Sequence, residues 1–209
     1  MTTPTTAEQR TAATVQIVGA TLPDGTGADL WIEGGQFVSS PSGAADRVID
    51  AAGLVALPGL VDLHTHLREP GFEQSETVLT GTRAAAAGGF TAVFAMANSN
   101  PVADTAGVVE QVQALGARHG YATVRPIGAV TVGLAGERLA EIGAMAASRA
   151  QVRVFSDDGM CVHDPLLMRR ALEYVTTFDG VVAQHAQEPR LTVGAQMNEG
   201  ELSARLGLA

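Results

Sequence analysis

At 209 residues and 46% hydrophobic content, the chain can bury a sizeable core, and its composition excludes intrinsic disorder. A formal net charge of −9 without a basic cluster excludes a nucleic-acid-binding surface, and no apolar run reaches the ~18 residues of a membrane span. The one cysteine, Cys161, excludes an internal disulfide and fits a reducing, cytoplasmic setting.

Residues 1–13, rich in Thr and Ala, read as a flexible tail. They lack the basic region and apolar core of a signal peptide. Residues 14–58 read as a small β-rich domain, with runs at Val15 to Ala20, Asp29 to Ile32, Gln36 to Ser39, Arg47 to Asp50 and Leu54 to Leu57. Pro, Gly and Asp separate these runs.

After Pro58 apolar strands alternate with Ala-rich helical stretches, the pattern of βα units around a parallel sheet. The strands are expected at Leu60 to His64, Thr91 to Ala95, Thr123 to Ala129, Val152 to Phe155 and Val181 to Gln184. Helices are expected at Ser75 to Ala87, Thr105 to His119, Glu137 to Ala147 and Asp164 to Thr177, with helical pieces between Arg190 and Leu206. Gly88-Gly89 and Gly120 fall where helices should stop. Asp164-Pro165 combines a capping Asp with Pro at the first turn.

The fold class is therefore α/β. Five βα units with polar groups at strand C-terminal ends suggest an incomplete (β/α)8 TIM barrel over residues 59–209, since a whole barrel has eight strands and typically about 250 residues. The chain is expected to be the N-terminal half of a longer protein.

Those strand ends carry the candidate chemistry. The first offers His64, His66 and Arg68, the second Asn98, the fourth Asp157 and Asp158, and the fifth His185. Residues two apart on a strand share a face, so His64 and His66 can close on one metal ion. Arg68 would continue the same parity, with a planar fork suited to a carboxylate. Imidazole and carboxylate together suit zinc and its neighbours. Asp157-Asp158-Gly159 also reads as an ordinary turn, because Asp-Gly is a frequent turn pair. His119 sits in a helix's last turn, favourable for the dipole. It reads as structural, as does His163, while Cys161 reads as inert packing near the mouth. All 13 basic residues are arginine. A Schiff-base, phosphate-loop or carbamylated lysine is therefore excluded within these residues.

Leu57-Pro-Gly-Leu-Val-Asp-Leu-His-Thr-His-Leu-Arg-Glu-Pro-Gly71 resembles the signature of bacterial type I dihydroorotases, in the amidohydrolase superfamily. Gly81-Thr-Arg-Ala-Ala-Ala-Ala-Gly-Gly-Phe-Thr91, Asn98-Ser-Asn-Pro-Val-Ala-Asp104 and Phe155-Ser-Asp-Asp-Gly159 extend the likeness from about residue 50 to the chain's end. The resemblance implies a two-zinc barrel that reversibly cyclises N-carbamoyl-L-aspartate to L-dihydroorotate in pyrimidine synthesis. It implies that His64 and His66 hold the first Zn2+, that Asp158 and a hydroxide bridge the pair, and that His185 holds the second. Arg68 and Asn98, with His66 beside them, would hold the substrate carboxylate. The absent lysine agrees with the subgroup that bridges its metals by aspartate.

The resemblance also implies a catalytic general-acid Asp ending the eighth strand and a further metal-binding His after the sixth. Both are expected beyond residue 209, so the 209-residue chain alone is expected to be inactive. A homodimer and an association with aspartate transcarbamoylase are family expectations only. Alternatives are another cyclic amidase, such as an allantoinase or hydantoinase, and a non-catalytic dihydroorotase-like subunit.

Overall fold

Alternating apolar and polar residues make the first strands. These are β1 (Val15–Thr21), β2 (Gly27–Glu33), β3 (Gln36–Val38) and β4 (Arg47–Asp50). They form one sheet in the order β3-β2-β1-β4, antiparallel except for the β1–β4 pair. Gly34 and Gly35, with φ of +61° and +78°, make the two-residue hairpin between β2 and β3, a turn that needs left-handed backbone at both positions. The expected strand over Leu54 to Leu57 shrinks to a single bridge between Val55 and Thr21. Gly53 at φ +79° turns the chain into it, and Pro58, without an N–H, follows directly.

The computed structural model describes residues 13–208, so the expected tail lies outside the described residues except for Ala13. These residues form two compact units, one up to Pro58 and one from Gly59 onward.

The second unit is an α/β structure with parallel strands. β5 (Leu60–Thr65), β6 (Phe90–Ala95) and β7 (Thr123–Pro126) pair side by side, and β8 (Val154–Phe155) pairs with β9 (Val181–Val182). A parallel bridge between Gly128 and Phe155 joins the two groups. Helices α1 (Val78–Ala87), α2 (Ala106–His119), α3 (Ile142–Ala147), α4 (Pro165–Val175) and α5 (Glu201–Leu206) follow the successive strands.

Local chemistry sets the helix ends. Thr77 and Thr80 form a reciprocal capping box at α1, so that helix begins later than Ser75. Asp164 accepts the Leu167 N–H at 2.8 Å ahead of Pro165 in α4. The stretch Glu137 to Glu141, expected to be helical, instead turns back along the chain. Gly136 (φ +70°) reverses direction, Val132 N donates to Arg138 O and Ala140 N donates to Val130 O. With its backbone groups taken, α3 can start only at Ile142.

Two apolar clusters hold the unit together. Val93, Ala95 and Val124 from β6 and β7 pack with Leu67, Val78 and Val112. Phe155, Ile142, Met145, Val109, Val130, Val152 and Val175 form the larger cluster. Gly128 admits this packing, because a Cβ there would lie 2.8 Å from Met145 Sδ.

Candidate metal centre

β5 carries His64, and His66 follows directly after its last residue. The end of the strand is pinned to β6: Thr65 Oγ1 donates to Phe94 O at 2.8 Å, and Met96 N donates to Thr65 O at 2.9 Å. The His64 and His66 rings lie edge to face, with centroids 5.2 Å apart.

Both rings reach the same carboxylate oxygen. His64 Nε2 is 3.3 Å and His66 Nε2 3.4 Å from Asp158 Oδ2. On the other side, His185 Nδ1 is 3.4 Å from Asp158 Oδ1. Asp158 itself is buried, whereas the histidines are partly open to solvent. His64, Asp158 and His185 line a cavity of about 220 Å³ with Met96, Ser156 and Gln184.

These separations exceed the usual 2.9 Å N–H···O contact. Two donors on one tetrahedral zinc, each about 2.05 Å from it, lie about 3.3 Å apart. One ligand atom each from His64, His66 and Asp158 lies within 4.8 Å of the others, a grouping that could hold a metal ion. Donor chemistry and spacing both fit such an ion.

Asn98 completes the arrangement in a way that residue spacing did not reveal. Its Oδ1 lies 3.0 Å from His66 Nδ1. A carbonyl oxygen only accepts, so His66 carries a proton on Nδ1, and Nε2 is the nitrogen that faces Asp158. The Asn98 NH2 group reaches towards Asp158 O at 3.5 Å.

Asp157 faces the other way. Buried to 1% exposure, it accepts from Val130 N at 2.7 Å and Thr131 N at 3.0 Å, and from the Thr131 hydroxyl. Asp157 O accepts from Met160 N at 2.9 Å, with Gly159 at φ +84° in the third position. That is the type II geometry of an ordinary turn, so the Asp-Asp-Gly stretch is a turn and also carries the carboxylate that meets the histidines.

The parity argument does not extend to Arg68. The strand ends at Thr65, and Arg68 takes φ 61°, which breaks the alternation. Its carbonyl accepts from Phe72 N at 2.9 Å, and its side chain makes no ion pair among the described residues. His163 and Cys161 line a separate cavity of about 200 Å³ with Leu134, Gly159 and Gln187. His119 ends α2 beside Arg118. Among the described residues no helix is long and apolar enough to cross a membrane.

The chain is 75% identical over 199 residues to a dihydroorotase of Leifsonia xyli subsp. xyli, covering 94% of this chain and 45% of that protein. It is 66% identical over 192 residues to the Streptomyces coelicolor dihydroorotase, covering 92% and 42%. For the Mycobacterium tuberculosis dihydroorotase the identity is 59% over 190 residues, covering 89% and 44%. The chain thus spans somewhat under half the length of these curated relatives.

Among solved structures it resembles L-hydantoinase (dihydropyrimidinase) from Arthrobacter aurescens, with a TM-score of 0.67 at 19% identity over 83% of this chain and 41% of that one. A D-hydantoinase gives 0.63 at 23% over 80% and 38%. At such identities the likeness concerns the fold alone. The dihydro-orotase-like family model matches residues 53–209, and the chain belongs to that family.

Proposed function

We propose that this chain is part of a zinc-dependent cyclic amide hydrolase, a cytoplasmic dihydroorotase that interconverts N-carbamoyl-L-aspartate and L-dihydroorotate. The observation that carries this reading is the meeting of His64, His66 and Asp158, in a chain 75% identical to a protein named dihydroorotase.

His64, His66 and Asp158 Oδ2 would hold one zinc, and Asp158 Oδ1 with His185 a second. The two oxygens of one carboxylate face different histidines, the disposition a bridging ligand needs. When bound, such ions lower the pKa of a coordinated water towards 7 and polarise a carbonyl. The protein's own groups do the rest. Asn98 fixes the His66 tautomer, while its NH2 group, only 3.5 Å from a backbone carbonyl, remains a donor for a substrate carboxylate. The Arg68 guanidinium supplies the bidentate grip and a local positive charge within a chain of net charge −9.

Residues 14–58 would form a small β-rich domain, and residues 59–209 the first five βα units of a (β/α)8 barrel. Curvature supports the barrel. Three strand spacings in a flat sheet would put β5 about 14 Å from β8, yet His64 and Asp158 come within 3.3 Å. Val61 and Leu63 on β5 and Val181 on β9 are exposed apolar residues on the outermost strands of the series, where further barrel elements would cover them.

The test is ring opening by the full-length protein, comparing dihydroorotate with hydantoin and allantoin. Preference for dihydroorotate is expected; preference for either of the others would replace this reading with a hydantoinase or allantoinase. Zinc content, expected at about two ions per subunit, separates both from a non-catalytic subunit, which would bind none.

A further inference from the structure

We propose that Asp157 is a positioning residue for the metal centre, holding the backbone that aims Asp158 at the three histidines. The proposal rests on the reading of Asp158 as a metal ligand.

β8 is only two residues long, Val154–Phe155, so little sheet pairing precedes the Asp-Asp pair. Gly128 N donates to Val154 O at 3.1 Å, and Ser156 N donates to Gly128 O at 2.9 Å. Past that point the backbone ladder between the β7 extension and β8 stops. The Asp157 side chain takes over, accepting the next two free N–H groups, those of Val130 and Thr131.

Its second oxygen takes the Thr131 hydroxyl, which itself accepts from Gly136 N at 2.9 Å. The far side of this loop is tied as well: Gly133 N donates to Asp104 Oδ2 at 2.9 Å, and Glu141 N donates to Asp104 O at 3.2 Å. The loop after β7 is thus a fixed platform, and Asp157 is the bolt that joins it to β8.

A buried carboxylate without partners would be strongly unfavourable, but charge-assisted bonds from two N–H groups and a hydroxyl satisfy this one. None of its contacts involves a histidine. Its neighbour Asp158, one residue on, turns its carboxylate to the opposite side, towards the histidines. Freed from the platform, the backbone at Asp157 would let the Asp158 oxygens drift from their 3.3–3.4 Å positions. Ångström-scale placement of that kind is what metal affinity depends on.

Zinc binding by the full-length protein, measured by competition with a chelator after metal removal, tests the proposal. Asp157→Ala should weaken zinc binding by about tenfold or more, within the range for lost supporting contacts. Asp157→Asn keeps an oxygen for the two backbone donors and an NH2 for the Thr131 hydroxyl, so it should stay within about threefold of wild type. Both variants lose the same charge, so equal losses would mean that charge rather than position matters, and would overturn the proposal. Unchanged affinity in Asp157→Ala would also overturn it.

The zinc-induced rise in melting temperature should shrink in Asp157→Ala and persist in Asp157→Asn; a purely structural role would lower bare and loaded forms alike. Should Asp157→Ala fail to fold, Thr131→Val removes only the hydroxyl. It should weaken zinc by about threefold, and wild-type affinity there would overturn the proposal. Wild-type protein that takes up no zinc would instead overturn the metal-centre reading, and the proposal with it.

Discussion

His66 donates its Nδ1 proton to Asn98 Oδ1 across 3.0 Å, and this single bond decides which nitrogen of the ring faces Asp158. A side chain from the loop after β6 thereby orients a ring from the end of β5. Asn98→Ala should cost about 10–100-fold in zinc affinity, while Asn98→Asp, which keeps an acceptor at that place, should lose less. Chelator competition reads both, and an Ala variant that holds zinc like wild type would remove Asn98 from this role.

His185 tests whether one carboxylate serves two ions. In the His185→Ala variant zinc should fall from about two ions per subunit to about one, because His64 and His66 address only the other carboxylate oxygen. Elemental analysis of the full-length protein gives the count. Two ions retained in the variant would exclude His185 as a ligand.

Arg68 should act on substrate binding and leave the metal untouched. Arg68→Lys keeps the charge but loses the fork. The expected result is a KM for dihydroorotate raised by about tenfold or more, with unchanged zinc content. A wild-type KM would show that the carboxylate is held elsewhere.

Gly71 joins the two loops that carry the site. Its φ is +101°, and a Cβ there would lie 2.1 Å from Asn100 O. Gly71→Ala must shift backbone, so a loss of about 3 kcal/mol or more is expected. That corresponds to a fall in melting midpoint of at least about 6 °C. A variant melting with wild type would mean that the loops separate freely.

Glu188 offers a contrast. Hydrogen bonds from the Arg190 side chain, then from its backbone, hold this partly exposed carboxyl down at about 2. A depressed value stabilises the folded state above the ordinary carboxylate range, and the effect fades as pH falls towards 2. Solvent screening reduces it at a partly exposed site, so Glu188→Gln at pH 7 should shift the melting midpoint by less than about 1 °C. A larger shift would show that the pair is coupled to something more buried.

Part of the site was legible in the chain because strand periodicity carries one residue past the end of β5: His64 and His66 meet one oxygen. Asp157 and Asp158 diverge for another reason, since they lie in a turn beyond β8 where each side chain finds its own partners. Periodicity failed where the backbone left regular geometry. Arg68 sits past the strand end in a left-handed conformation, so counting by twos carried no information there. The stretch Glu137 to Glu141 has helix-forming residues, but Gly136 folds it back onto Val130 and Val132, and tertiary hydrogen bonds override propensity. The Asn98–His66 bond spans two loops distant in sequence, and no local pattern records it.

His64 lies on β5, and His66, Asp158 and His185 lie just past the ends of β5, β8 and β9, spread across the whole parallel series. No hairpin or single βα unit contains the cluster, so it cannot exist in a locally folded segment. It assembles only when distant strands align, the slow and non-local part of folding. A metal ion with a visible spectrum, such as cobalt, would then act as a clock for the last of these alignments.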